Sequence, residues 1–320
     1  MTGRFYEAAA LLPPFENTLR AVPQRIADAA CEIRLRTGRP PVVETPSERY
    51  VCSGRNVTSE EIRGCVKFFC DYSLYSAERE IADGRITLKG GHRAGFTGTA
   101  VIRGGEVTAL RDISSVNLRI SSEHKGIAEK LMSMTVFERD FAGLLLLGAP
   151  LSAKTTMLRD YARLLSAFAR TCVIDENGEI AAMYRGVPQN DVGLNCDVLD
   201  MFPKDEGIMR AVRLMSPEYI ICDEVGTEYG QLADCAGKGV KLVLSAHCGS
   251  MDDAARNTAV RALVSSGAVN YCALLGSGES IGKVLGLWRV SGVEDIGGCG
   301  SGNDLYRGRS RILVGAAAAV

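Results

Sequence analysis

The chain has 320 residues, 46% of them hydrophobic and 23% charged, with a formal net charge of −1. That length suits one large domain or two ordinary ones, and either can bury a proper core. The near-neutral balance argues against a global electrostatic grip on nucleic acid, and no apolar run approaches the roughly 20 residues of a membrane span. The apolar stretch Ala8 to Leu12 is interrupted by Pro13-Pro14 and flanked by Glu7 and Glu16. It does not read as a signal peptide, so a cytosolic location is expected. Eleven cysteines are scattered through apolar contexts without a C-x-x-C pair, which suggests reduced thiols used as small hydrophobes.

Residues 1–138 read as a compact α+β domain. After a helical start, Glu32-Ile33-Arg34-Leu35-Arg36 alternates like an exposed strand, and Gly38-Arg39-Pro40 turns it. Thr58-Ser59-Glu60-Glu61 caps a helix through Phe69. Glycine-dense sequence from Asp83 to Gly98 and the alternating Ser115–Ile120 predict short strands in an antiparallel sheet. From about Phe141 the rhythm changes. Apolar runs at 143–147, 171–175, 219–222 and 240–246 alternate with helical patterns at 155–168, 205–215, 229–237 and 252–266. This predicts an α/β domain with a mostly parallel sheet covered on both faces, closed by a hairpin of Tyr271–Leu275 and Val284–Val290. The glycine-rich 293–320 is expected to be a flexible tail.

The first strand of that domain leads into Gly148-Ala149-Pro150-Leu151-Ser152-Ala153-Lys154-Thr155-Thr156. Its shape is that of a phosphate-binding loop, G-x-x-x-x-G-K-[ST], with Ala153 in place of the second glycine. Backbone N–H groups and the positive end of the following helix would hold a polyphosphate. Lys154 would neutralise the β- and γ-phosphates, and Thr155 would join a Mg²⁺ shell. Glycine serves there because backbone must approach phosphate closely, and Ala153 is expected in right-handed helical conformation, where its Cβ brings no backbone strain. Leu151 adds bulk to a loop that usually carries small residues.

An NTPase also needs carboxylates near the metal and the attacking water, and a group that senses the γ-phosphate. Val173-Ile174-Asp175-Glu176 ends the second apolar strand, with Glu179 close behind. Asp223-Glu224 ends the third in the layout of a Walker B strand, and Ser245-Ala246-His247 ends the fourth. Any one of these alone could be a helix cap or a structural histidine. In this order after a Lys-Thr-Thr loop, they indicate a nucleotide site with Lys154, Thr155, Asp223, Glu224 and Asp175 facing one pocket.

The sequence from Gly186 to His247 then resembles a specific family. Gly186-Val187-Pro188-Gln189-Asn190-Asp191-Val192-Gly193, Asp197-Val198-Leu199-Asp200, Pro203-Lys204 and Arg213-Leu214-Met215-Ser216-Pro217-Glu218 resemble the stage III sporulation protein AA family, P-loop ATPases of endospore-forming bacteria. Glu32–Arg36, Gly90-Gly91-His92-Arg93 and Asn117-Leu118-Arg119-Ile120 extend the resemblance into the N-terminal half, and it covers roughly residues 30–290. That family is similar in turn to type II and type IV secretion ATPases. The resemblance implies a RecA-like P-loop domain over 139–292 and an acidic box of Asp175, Glu176 and Glu179. It further implies a Walker B pair, Asp223 and Glu224, and a His box at His247, with ATP and Mg²⁺ as cofactors. It implies a hexameric ring with nucleotide held between N-terminal and RecA-like domains, where Arg93 and Arg119 would reach the phosphates. The implied partners are membrane proteins of the channel between mother cell and forespore, not nucleic acid. The departure at Ala153 and Leu151 leaves two readings open: a working ATPase, or a nucleotide-insensitive scaffold of the same complex.

Overall fold

The structure is a computed structural model that describes residues 2–52, 54–70, 81–82, 84–291 and 311–312. It divides into two compact units: residues 1–122 with 182–189, and residues 123–181 with 190–320. The change of rhythm in the sequence places the boundary between about residues 121 and 142; the two units meet in sequence at Ser122 and Glu123, and the first also includes Ala182–Gln189.

In the first unit, three short helices, α1 (Thr2–Ala10), α2 (Glu16–Arg20) and α3 (Gln24–Ala29), precede strands β1 (Glu32–Arg36), β2 (Val42–Glu44) and β3 (Arg49–Val51). Helix α4 (Ser59–Phe69) starts at a capping box in which Thr58 and Glu61 each satisfy the other's backbone N–H. Strands β4 (Arg85–Thr87), β5 (Arg93–Arg103) and β6 (Glu106–Arg119) complete a six-stranded antiparallel sheet ordered β3-β2-β1-β6-β5-β4. Alternation puts Ile33, Leu35, Ala94, Phe96, Val116 and Leu118 into the core with Phe5, Phe15 and Phe69. The Glu32–Arg36 strand lies between two neighbours rather than at an exposed edge, its polar alternates lying on the opposite sheet face. The β5–β6 hairpin runs far longer than the glycine-rich sequence suggests.

His92 is fully buried in this unit: Nδ1 accepts the Ser121 N–H at 3.2 Å, while Nε2 has no hydrogen-bond partner. Burial, assisted by the Arg4 guanidinium, pushes its pKa from 6.5 down to about 4. The unfolded chain therefore binds the extra proton first as pH falls, so the stability held above pH 6.5 is lost on the way down to about pH 4. That loss amounts to about 3 kcal/mol in full. Urea titrations at pH 7.5 and pH 5 should show most of it in the first unit, and His92→Gln should flatten the difference. Equal pH dependence in both proteins would rule out His92 as the source.

The second unit contains α5 (Glu129–Ser133), β7 (Gly143–Gly148), α6 (Lys154–Leu165) and β8 (Thr171–Asp175). The chain then forms the hairpin β9 (Met183–Tyr184) and β10 (Val187–Pro188) of the first unit, where Gln189 Oε1 accepts the Gly90 N–H at 2.8 Å. It returns as β11 (Cys196–Asp200), α7 (Lys204–Arg210), a π-helical turn (Ala211–Met215), β12 (Tyr219–Cys222), α8 (Tyr229–Gly237) and β13 (Lys241–His247). The helices α9 (Met251–Arg256) and α10 (Thr258–Ser265) and the strands β14 (Tyr271–Leu275), β15 (Val284–Arg289) and β16 (Arg311–Ile312) follow. The helix expected over 252–266 is split at Asn257, whose extended backbone and side-chain bond to Val260 N–H cap the second piece.

These strands form one sheet, β11-β8-β12-β13-β7-β14-β15-β16, parallel through β14 and antiparallel beyond it. Strand β7 is buried throughout because the sheet surrounds it, and a Cβ at Gly143 would lie 2.4 Å from the Ala268 carbonyl oxygen. The expected tail of 293–320 lies outside the described residues except for β16.

Candidate nucleotide site

Parallel order brings the carboxyl ends of β7, β8, β12 and β13 to one edge, where ligands bind in doubly wound sheets. Register then decides which side chains meet. His247 pairs with Gly148, and Cys222 with Leu244, so His247 stands beside the phosphate-loop start and Asp223 beside Ser245.

The loop from Gly148 to Ala153 turns into α6 with Ala153 as its N-cap, and it corrects the sequence reading twice. Ala153 is left-handed (φ 67°, ψ 27°), not right-handed helical, and Leu151 is left-handed as well (φ 63°). The N-cap residue stands outside the helix proper, and successive turns of this kind point N–H groups into an anion-binding concavity. Each such non-glycine residue costs roughly 1–2 kcal/mol. Nor does Leu151 fill the cradle, because its side chain is 87% exposed. Ser152, expected to line the nucleotide, is instead buried where a Cβ on Gly148 would be, its Oγ 2.2 Å from that position. Gly148 is thus required for packing beneath the loop. Ala149 is half-buried and Pro150 exposed.

Lys154 is nearly buried. Its Nζ donates to the carbonyls of Gly148 (2.9 Å) and Ala149 (3.0 Å) and to His247 Nδ1 (3.1 Å). Burial pulls its pKa below the usual lysine range, against the opposing pull of Asp223 and Glu224. The other imidazole nitrogen, Nε2, lies 2.5 Å from Glu224 Oε1. An ammonium can only donate, so Nδ1 must accept and Nε2 carry the proton: the geometry selects the neutral Nε2–H tautomer of His247. Lys154, His247 and Glu224 form one chain of hydrogen bonds, half exposed at its His–Glu end.

Thr155 Oγ1 donates to Asp223 Oδ2 at 2.6 Å. The buried Ser245 hydroxyl donates to Asp223 Oδ1 and accepts the Glu224 N–H at 2.9 Å. Among the described residues no cluster of three His, Cys, Asp or Glu could hold a metal by itself. A hydroxyl and a carboxylate side by side at a helix N-terminus are hard oxygen donors. They fit Mg²⁺ in the way such sites use it, with phosphate and water completing the shell. Thr156, the third residue of the helix, is half-buried.

The acidic box is arranged differently from the expectation. Asp175 is buried, and its carboxylate accepts N–H groups from Glu179 (2.8 Å), Ile180 (3.1 Å) and Ala181 (2.8 Å). Burial raises its pKa despite those bonds. It pins the turn after β8 instead of offering itself to water, and Arg159 seconds it by donating to the carbonyls of Glu179 and Ile180. Glu176 reaches toward Lys204, whose Nζ is 3.7 Å from its Oε2. Arg93 and Arg119 sit opposite one another on β5 and β6 of the first unit, with Arg119 Nε 3.3 Å from Glu32 Oε1. Ser245, Lys204 and Arg159 were missed by sequence reasoning. Ser245 left a signal as a polar residue inside an apolar strand, and Lys204 only as part of the Pro203-Lys204 motif.

Comparison with known proteins agrees with this architecture. The family described as "Sporulation stage III, protein AA" matches residues 19–294. The chain belongs to that family. It is 35% identical over 266 residues to Stage III sporulation protein AA of Bacillus subtilis, covering 80% of this chain and 86% of that one. Among solved structures it resembles the Legionella pneumophila ATPase DotB, with a TM-score of 0.56 at 13% identity over 87% of this chain and 81% of the other. It also resembles the pilus retraction motor PilT with bound ADP, with a TM-score of 0.54 at 15% identity over 78% and 76%. These likenesses establish the fold as RecA-like, preceded by an antiparallel-sheet domain.

Proposed function

We propose that this member of the family is a Mg²⁺-dependent ATPase motor of the channel between mother cell and forespore. It would work as a hexameric ring with membrane proteins of that channel. The observation that carries the reading is the hydrogen-bonded chain Lys154–His247–Glu224 beside the Thr155–Asp223 pair, all at the loop between β7 and α6. Bound Mg²⁺ would withdraw charge from the phosphates. Lys154 would bind them, Thr155 and Asp223 would hold the metal, and Glu224 would orient and polarise the attacking water. His247 would link the phosphate side of the site to Glu224. No described helix is long and apolar enough to cross a membrane.

The scaffold reading draws on the left-handed Leu151 and Ala153. The backbone strain of those two residues is part of the loop's own conformation. The Ala153 methyl lies 3.8 Å from where a Cβ on Gly282 would be, in the space beside that turn. Titration with a fluorescent ATP analogue, with and without Mg²⁺, should show Mg²⁺-dependent binding to the wild-type protein. Ala153→Gly should change that affinity by less than about threefold, under 1 kcal/mol. Tightening of tenfold or more would mean that the methyl crowds the phosphates, and binding by neither protein would favour the scaffold.

A further inference from the structure

We propose that Ser245 and Lys204 are positioning residues that clamp the main chain of Glu224, fixing the direction of its carboxylate for hydrolysis. The inference rests on the ATPase reading for its catalytic consequence, but the clamp itself is a property of the fold. Strand β12 ends at Cys222, so no ladder hydrogen bond defines the backbone of Glu224, and its φ is +52°. A non-glycine residue holds that region only when its surroundings impose it. Two side chains from separate elements do so. The Ser245 hydroxyl, fully buried on β13, accepts the Glu224 N–H at 2.9 Å. Lys204, at the first turn of α7 with only 12% of its side chain exposed, donates to the Glu224 carbonyl oxygen.

The serine is economical for chemical reasons. A hydroxyl has one proton and two lone pairs, so giving the proton to Asp223 leaves a lone pair for the Glu224 N–H. One side chain thereby sets the carboxylate beside Thr155 and the backbone that aims the carboxylate beside His247. Lys204 contributes charge as well, since its ammonium also faces Glu176. Without the clamp the Glu224 backbone would relax toward the commoner right-handed or extended regions, and its side chain would swing with it.

Ser245→Ala should lower the single-turnover hydrolysis rate on the order of 10- to 100-fold, the scale of a small misplacement of a reacting group. In Lys204→Met, which leaves Asp223 with both its hydroxyl partners, the affinity for the fluorescent ATP analogue with Mg²⁺ should stay within about threefold. Ser245→Thr, which keeps the hydroxyl, should restore most of the rate. Lys204→Met should act in the same direction without touching Asp223, which separates backbone aim from metal holding. Hydrogen exchange adds a readout independent of turnover. In Ser245→Ala the Glu224 amide should exchange faster, whereas the Val225 amide, held by the Ser245 main-chain oxygen at 2.8 Å, should not. Full hydrolysis in Ser245→Ala, or unchanged exchange at Glu224, overturns the clamp. A wild-type protein that binds but never hydrolyses ATP overturns the ATPase reading instead, and exchange at Glu224 then decides the clamp by itself.

Discussion

Glu224→Gln should abolish ATP turnover, by a factor on the order of a hundred to a thousand, while leaving binding of Mg²⁺ and ATP nearly intact. The amide keeps the shape of the carboxylate, and its oxygen can still accept from His247 Nε2, so the Lys154–His247 link survives. What disappears is the negative charge that polarises water. Because Glu224 does not touch Thr155, Asp223 retains its hydroxyl partner and the metal donors stay in place. Single-turnover hydrolysis alongside equilibrium binding checks this. Parallel loss of both would mean that Glu224 holds nucleotide or metal, and undiminished hydrolysis would move the water-activating role elsewhere.

Lys154→Ala should have the opposite signature, with affinity for ATP falling about 10- to 100-fold. That range corresponds to losing a charge-assisted hydrogen bond of about 1.5–3 kcal/mol. The ligand-free protein should feel the change too, because the ammonium holds the Gly148 and Ala149 carbonyls together. A modest fall in thermal stability, reversed by Lys154→Arg only if the larger guanidinium fits that buried space, would accompany the binding defect. His247 Nδ1 would lose its donor. Unchanged affinity in Lys154→Ala would remove the phosphate-binding role from this loop.

Much of the second unit was legible because fully buried parallel strands produce apolar runs that end at turns. Leu144–Leu147, Thr171–Asp175, Tyr219–Cys222 and Leu242–Ala246 show this. The acidic pair at Asp223-Glu224 and His247 were legible for the same reason, since strand ends in such a sheet converge. Periodicity does not report backbone sign. Nothing in Leu151-Ser152-Ala153 announces two left-handed residues, and the glycine that usually does so is absent. The three N–H partners of Asp175 were not legible, because an aspartate after a strand looks the same whether it faces water or gathers the next turn. Lys204 was illegible because its partner is a main-chain oxygen twenty residues away. The two-residue strands of the 182–189 hairpin are too short for any alternation to show.

That hairpin also sets an order of events during synthesis. Gln189 supplies the acceptor for Gly90, yet β7, α6 and β8 all precede it in the chain. A ribosome must therefore translate a substantial part of the second unit before the first possesses all its pieces. A nascent chain released at residue 122 would carry the six-stranded sheet with the Gly90 amide still waiting for its acceptor. Domain-by-domain folding behind the ribosome, the usual habit of multidomain chains, can begin here at the N-terminus but cannot finish there.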